Sequence, residues 1–340
     1  MDRFHNFGFA DIEIENRFST PTYLDKISEL INWKRIDKIL KKHYKRNKDA
    51  VGNPAYPALR MFKILLVQKW EKLSDPQMEF ALRDRISVIR FVGFPLSSPT
   101  PDHSTICRFR NTLSKSGAFD ELLEEINNQL VKLGFMIKEK SSAVIDATVV
   151  EANARPRKTV KVMPEDRKED EVNTDNVELE YSIDEDARWL KKGKKSYYGY
   201  KVFIATDPLG FILGGLTTPA NVSEMKTFEE FLESLSLTSG VSLFADKGYA
   251  CDANREILAL KGIKDFIMHK KVKNKELTTY QKSINKLISK VRYVIEQSFG
   301  ILKKHYGFDR TRYIGLEKVH TEFNLLAMAF NIKKASNMMF

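Results

Sequence analysis

Only two cysteines, Cys107 and Cys251, occur in 340 residues, and they lie far apart. They read as reduced thiols, which excludes a small disulfide-stapled scaffold and predicts an intracellular chain. No Cys/His spacing suits zinc, and none of the six histidines has a metal spacing. No run of about 18 apolar residues is present, so no membrane span is predicted. The start, Met1-Asp2-Arg3-Phe4-His5, lacks the apolar core of a signal peptide. Gly214-Gly215 is no phosphate loop and reads as a point of relief in a strand. Ser/His/Asp nucleophile machinery and a coiled-coil heptad are also missing. Hydrolase chemistry through a side-chain nucleophile is therefore not expected.

Charge is abundant and unevenly placed. The net charge is +11, with 42% hydrophobic residues, enough for a sizeable core and two domains. Residues 1–140 carry a net +6, residues 141–263 a net −5, and residues 264–340 a net +10. An acidic middle flanked by basic segments favours a polyanion as partner.

Apolar periodicity predicts helices over 22–47, 57–71, 75–92, 102–115 and 118–133. The 57–71 segment is apolar almost all round, which predicts burial. A turn-rich loop, Gly52-Asn53-Pro54, precedes it. In Asp102-His103-Ser104-Thr105-Ile106-Cys107-Arg108-Phe109-Arg110, Asp102 or Ser104 can cap the helix, and Arg108 and Arg110 project near its start. Residues 1–135 thus form a helical domain in which helix-turn-helix DNA binding is plausible, with 102–115 as recognition helix. The plain alternative is a helical bundle with solvated arginines.

From 136 onward the pattern changes to α/β. Ala143–Val150 reads as a buried strand, 151–196 as a long charged loop, and Tyr198–Ala205 and Phe211–Thr217 as a hairpin about Asp207-Pro208-Leu209-Gly210. Helix 223–236 follows, with Met225, Phe228, Phe231 and Leu232 inward. Then come strand 241–246, helix 252–261, strand 265–268 and a long helical region over 277–304. Three antiparallel strands followed by alternating strand and helix match a ribonuclease-H-like mixed sheet flanked by helices.

Asp146 ends the apolar run Val144-Ile145-Asp146, and Asp246 ends Leu243-Phe244-Ala245-Asp246. Glu296 lies on the late helix, four residues after Arg292 and seven before Lys303. Each alone has an ordinary reading: a strand-end turn residue, a turn or helix cap, a surface i,i+4 pair. Together, two strand-end carboxylates and one helical carboxylate can converge on magnesium, a hard ion that binds few protein ligands. Two such ions about 4 Å apart suit in-line displacement at a phosphodiester. Arg292 can orient Glu296 or hold a phosphate, and Lys303 can meet the DNA backbone.

The segments Val144-Ile145-Asp146-Ala147-Thr148, Tyr198-Gly199-Tyr200-Lys201, Ala245-Asp246-Lys247-Gly248-Tyr249 and Arg292-Tyr293-Val294-Ile295-Glu296-Gln297-Ser298-Phe299 resemble bacterial insertion-sequence transposases of the DDE class. The group they are most similar to is the IS-five family, and the 101–110 stretch is also similar to it. The resemblance spans roughly residues 20 to 335.

The resemblance implies that Asp146, Asp246 and Glu296 form a triad holding Mg2+ or Mn2+, two ions in all. Arg292, Glu296 and Lys303 fit the family's Tyr-Arg-Glu-Lys signature, but Ser289 stands at the tyrosine position. Asn285 and Lys286 look like further positions facing DNA. The implied reaction is cleavage at the element's terminal inverted repeats, then transfer of the freed 3′ hydroxyls into target double-stranded DNA. At least a dimer on DNA and a cytoplasmic, nucleoid-associated location go with it. A catalytically inactive DNA-binding regulator and a nuclease without strand transfer are the other readings.

Overall fold

A computed structural model describes residues 8–9, 21–45, 54–137, 142–154, 158–162, 177–181, 184–235, 237–271 and 276–339. Gly52 and Asn53 of the expected loop, Arg155 and Arg157, and the acidic stretch 163–176 lie outside the described residues.

The helical region holds α1 (Tyr23–Leu30), α2 (Trp33–His43), α3 (Ala58–Trp70), α4 (Asp75–Asp84), α5 (Ile86–Val92), α6 (His103–Lys115) and α7 (Ala118–Lys132). Two predicted helices are each split in two. Ile31 caps α1 in extended conformation, and Arg85, at φ −106° and ψ 104°, separates α4 from α5. Periodicity alone does not register a break of one or two residues. Helix α3 is buried as expected, with Phe62, Ile64, Leu65, Leu66 and Val67 all inaccessible. Asp102, not Ser104, caps α6, accepting from Thr105 N at 2.6 Å.

The sheet contains β1 (Ser142–Glu151), β4 (Arg188–Lys192), β5 (Lys195–Thr206), β6 (Ile212–Pro219), β7 (Ser242–Ala245) and β8 (Lys264–Ile267). Strands β2 (Lys158–Val162) and β3 (Val177–Tyr181) pair separately as an antiparallel hairpin. The expected loop over 151–196 is therefore partly strand, a correction to the sequence reading. Its polar composition hid strands whose partners are each other or the sheet edge.

Strand order is β4-β5-β1-β7-β8, with β6 also pairing with β5. β1 runs antiparallel to β5 and parallel to β7, and β7 is parallel to β8. This is the mixed, helix-flanked sheet expected from the sequence. Helices α8 (Glu224–Ser234), α9 (Asp252–Leu260), α10 (Thr279–Tyr306) and α11 (Leu316–Met338) complete it. On α8, Phe228, Phe231 and Leu232 point inward, but Met225 is exposed. Helix α10 is unbroken, beginning in a capping box between Thr278 and Gln281 and ending at Gly307 in left-handed conformation.

Helix α11 was not anticipated. It is buried on nearly every side, so it carries no amphipathic signature. It packs on β6 and on α1, α3, α6 and α7, and one hydrophobic core runs through these helices and one face of the sheet. Asn331 ties the layers together. Its amide donates to Asn127 Oδ1 and Ile212 O, each at 2.8 Å, and accepts from Ile212 N at 2.8 Å. A second core, built from Ile145, Phe203, Phe228, Phe231, Leu243 and others, fills the opposite face under α8 and α9.

Candidate active site

β1 continues past the point where β7 ends. The parallel pairing ends at Val144↔Phe244, two residues before each aspartate, and Asp146 and Asp246 both approach the guanidinium of Arg292. Asp146 is thus mid-strand, not strand-terminal as the sequence suggested, and pairs with Ile204 on its other side. Asp246 does end its strand and leads into a 3-10 turn over Lys247–Tyr249.

Helix α10 crosses this edge with Ile288, Arg292, Ile295, Ser298 and Leu302 buried along one stripe. That stripe carries Arg292, only 8% exposed, to the two aspartates. Its Nη2 donates to Asp146 Oδ2 at 2.6 Å, and its Nη1 lies 3.5 Å from Asp246 Oδ1. Nη1 also donates to Met268 Sδ at 3.7 Å. Asp146 Oδ1 accepts from Ala147 N at 2.8 Å. Burial pushes the Asp146 carboxyl above the usual range, and Asp246 adds to this, while Arg292 and the Ala147 amide oppose it.

The other predicted residues are placed differently. Glu296, one turn beyond Arg292, is exposed, and no hydrogen bond or ion pair holds it among the described residues. Among those residues no three His, Cys, Asp or Glu side chains stand close enough to hold a metal ion. Lys303 is half-buried, its ammonium donating to Val149 O at 3.2 Å. Burial and the nearby Lys192 lower its pKa. Lys286 is exposed.

Asn285 is held by the protein itself. Its amide donates to His269 O at 3.0 Å and accepts from His269 N at 2.8 Å, so it clamps the chain after β8. Arg110 is held likewise. It is 4% exposed, forks onto Asp75 Oδ1 and Oδ2 at 2.8 and 2.7 Å, and stacks 4.6 Å from the Tyr313 ring centre. Spacing along α6 did not reveal which face meets α3, α4 and α11. Arg108 does face outward, bonded to Ser104 and Thr105 hydroxyls on its own helix.

Tyr249, Lys201 and Glu224 had no role in the sequence reading. Tyr249 is fully buried, and its hydroxyl has no partner among the described residues. Lys201, itself buried, donates to Val222 O at 2.8 Å and lies 3.7 Å from Glu224 Oε1. The sequence offered one signal: Lys201 and Tyr249 both lie inside the motif segments.

The donor chemistry fits a hard divalent cation. Two carboxylates bracket a space that already accommodates a positive charge, the Arg292 guanidinium. Two buried polar atoms there, Arg292 Nε and the Tyr249 hydroxyl, are unpartnered among the described residues.

Residues 138–332 match the family model described as a transposase DDE domain, and residues 12–112 match one described as a transposase domain (DUF772). The chain is 37% identical over 265 residues to the transposase for insertion sequence element IS1106 from Neisseria meningitidis serogroup B, covering 78% of this chain and 86% of that one. No solved structure matches it. No helix among the described residues is long and apolar enough to cross a membrane.

Proposed function

Because the chain belongs to the DDE-domain transposases of insertion sequences, we propose that it binds its element's terminal inverted repeats and performs strand cleavage and strand transfer at Asp146, Asp246 and Glu296. The observation that carries this reading is the meeting of Asp146 and Asp246 on one guanidinium, although they lie 100 residues apart in sequence.

Asp146, Asp246 and Glu296 would hold Mg2+ or Mn2+, as two ions. A divalent pair supplies activation of the attacking oxygen and stabilisation of the leaving one. Arg292 fixes both aspartates in position while the site is without DNA and offers its remaining donors to a phosphate. Asp146 is held ready as a ligand by the Ala147 amide. Glu296, exposed on the same helix, would be the third ligand, its side chain turning toward the aspartates. Lys303, two turns along, lies beside the phosphate track.

DNA binding is shared. The exposed Arg108 on α6 reads or grips the element end, and the basic β4–β5 hairpin with Lys191, Lys192, Lys194 and Lys195 meets backbone phosphates. Lys286 adds to this surface. Synapsis of two ends requires at least two copies. The protein works on nucleoid DNA in the cytoplasm.

The test uses a pre-cleaved element-end duplex, supercoiled plasmid and Mg2+ or Mn2+. Metal-dependent joining by the wild type, lost in Glu296→Gln that still binds the duplex, is the expected result. Binding without cutting or joining makes the protein a regulator. Cutting without joining makes it a nuclease.

A further inference from the structure

The carboxyl edge of the sheet carries a second charged group that no step above uses. Glu224 is the first residue of α8, and its side chain is 34% exposed. Its Oε2 lies 2.5 Å from where a Cβ on Gly248 would stand. The missing side chain at 248 therefore lets this carboxylate lie against the turn that follows Asp246.

Its resident partner is a loose one. Lys201 Nζ stands 3.7 Å from Oε1, beyond hydrogen-bond distance, and already donates to Val222 O. Glu224 accepts no hydrogen bond among the described residues. A carboxylate this weakly held is free to take another cation.

Tyr249 supplies an independent pointer. It is the last residue of the Gly248 turn, it is 0% exposed, and its hydroxyl is unpartnered. Burial pushes that hydroxyl's pKa well above its ordinary value, and the negative charges of Asp146, Glu224 and Asp246 push it the same way. Tyr249 ends the turn that begins after Asp246 and against which Glu224 lies. A buried donor left without an acceptor costs about 1–3 kcal/mol, so an acceptor brought by a ligand recovers stability there.

We propose that Glu224 is a further carboxylate of the cation site, acting beside Asp246 on the Gly248 side, and that the Tyr249 hydroxyl donates to a water or phosphate oxygen held there. Lys201 is the counter-charge that holds Glu224 when no cation is present. The proposal rests on the reading of Asp146 and Asp246 as metal ligands. No three ligands are gathered in the structure, so Glu224, like Glu296, moves its side chain to take part.

The test measures Mn2+ affinity of the full chain without DNA, by calorimetric titration and by tyrosine-sensitised Tb3+ luminescence. Thermal unfolding of each variant is followed alongside. Glu224→Gln is expected to weaken Mn2+ binding by about tenfold or more, the scale for losing even an outer partner of a metal. Tyr249→Phe is expected to keep Tm at or above that of the wild type and to weaken binding less. Unchanged Mn2+ affinity in Glu224→Gln, with loss in Asp146→Asn, overturns the proposal and leaves Glu224 as the counter-ion of Lys201 only. Unchanged affinity in Asp146→Asn overturns both this proposal and the reading of the aspartate site. Should Glu224→Gln unfold, Glu224→Asp keeps the charge and shortens the reach. It is expected to weaken binding too, and unchanged binding overturns the proposal.

Discussion

The ring of Phe323 occupies the place where a side chain on Gly215 would stand. A Cβ at 215 would lie 2.5 Å from Phe323 Cζ and 2.5 Å from Phe203 O. The glycine therefore serves the docking of α11 on β6. Gly215→Ala is expected to lower stability by about 1–3 kcal/mol, the range for overpacking a filled core. Denaturant unfolding checks this. Phe323→Leu, made together with it, should recover part of the loss, because the two changes share one space.

The inward turn of Arg110 separates two arginines that look equivalent in sequence. Burial alone would raise the Asp75 carboxyl, but the Arg110 fork and the Gln68 amide hold it below the usual range. Arg110→Ala is expected to lower stability by about 3 kcal/mol, as for a buried pair left with one partner. Its folded fraction should bind DNA as the wild type does. Arg108→Ala should do the reverse, with little change in stability and a salt dependence of DNA binding reduced by about one charge. Chemical unfolding and binding at several salt concentrations check both.

Asp146 predicts a pH dependence of stability. Its carboxyl is raised above the ordinary 3.8 by burial, so the folded state holds the proton more tightly than the unfolded chain. Stability from this group is present below 3.8 and is lost as pH rises through the folded value. Asp146→Asn removes that slope. The variant is expected to be at least as stable as the wild type near neutrality, with the difference closing in acid. Thermal unfolding across acid to neutral pH reads the sign.

Divalent cation should reverse the same comparison. A ligand at 100 times its Kd adds about 2.7 kcal/mol to the folded state. Mn2+ is expected to raise the Tm of the wild type and not that of Asp146→Asn, and chelation should abolish the rise. An equal rise in both would place the ion elsewhere.

Asn331 joins sheet and helices through three bonds in a fully buried setting. Asn331→Leu leaves groups of Asn127 and Ile212 unpaired and is expected to cost about 3 kcal/mol. Because α11 belongs to the core of both parts, unfolding should remain a single transition, which calorimetry checks.

Much of the sheet was legible because its strands carry local signals. Val144-Ile145 and Leu243-Phe244-Ala245 are short buried runs, and Asp207-Pro208-Leu209-Gly210 is a turn whatever surrounds it. Strand β4 was not legible, since Arg188, Lys191 and Lys192 give it no apolar face. Helix α11 was missed for the opposite reason. Leu325, Leu326, Met328, Ala329 and Ile332 face both layers at once, and such a helix has no polar side to mark its period.

The sequence by itself determined the residue types of the site and the elements that bear them. Aspartate at the close of a β-branched or aromatic run, and glutamate a turn past arginine on a helix, follow from spacing that local physics sets. Only the tertiary structure decided which way each side chain faces. Arg292 is drawn between Asp146 and Asp246 because α10 buries the stripe from Ile288 to Leu302 against β1 and β7. Arg110 is turned inward because α6 is covered by helices distant in sequence. Glu224 lies against the Gly248 turn that follows Asp246 because a helix start and that turn come together in the fold. Burial and pairing depend on neighbours brought from elsewhere in the chain, and no local periodicity encodes them.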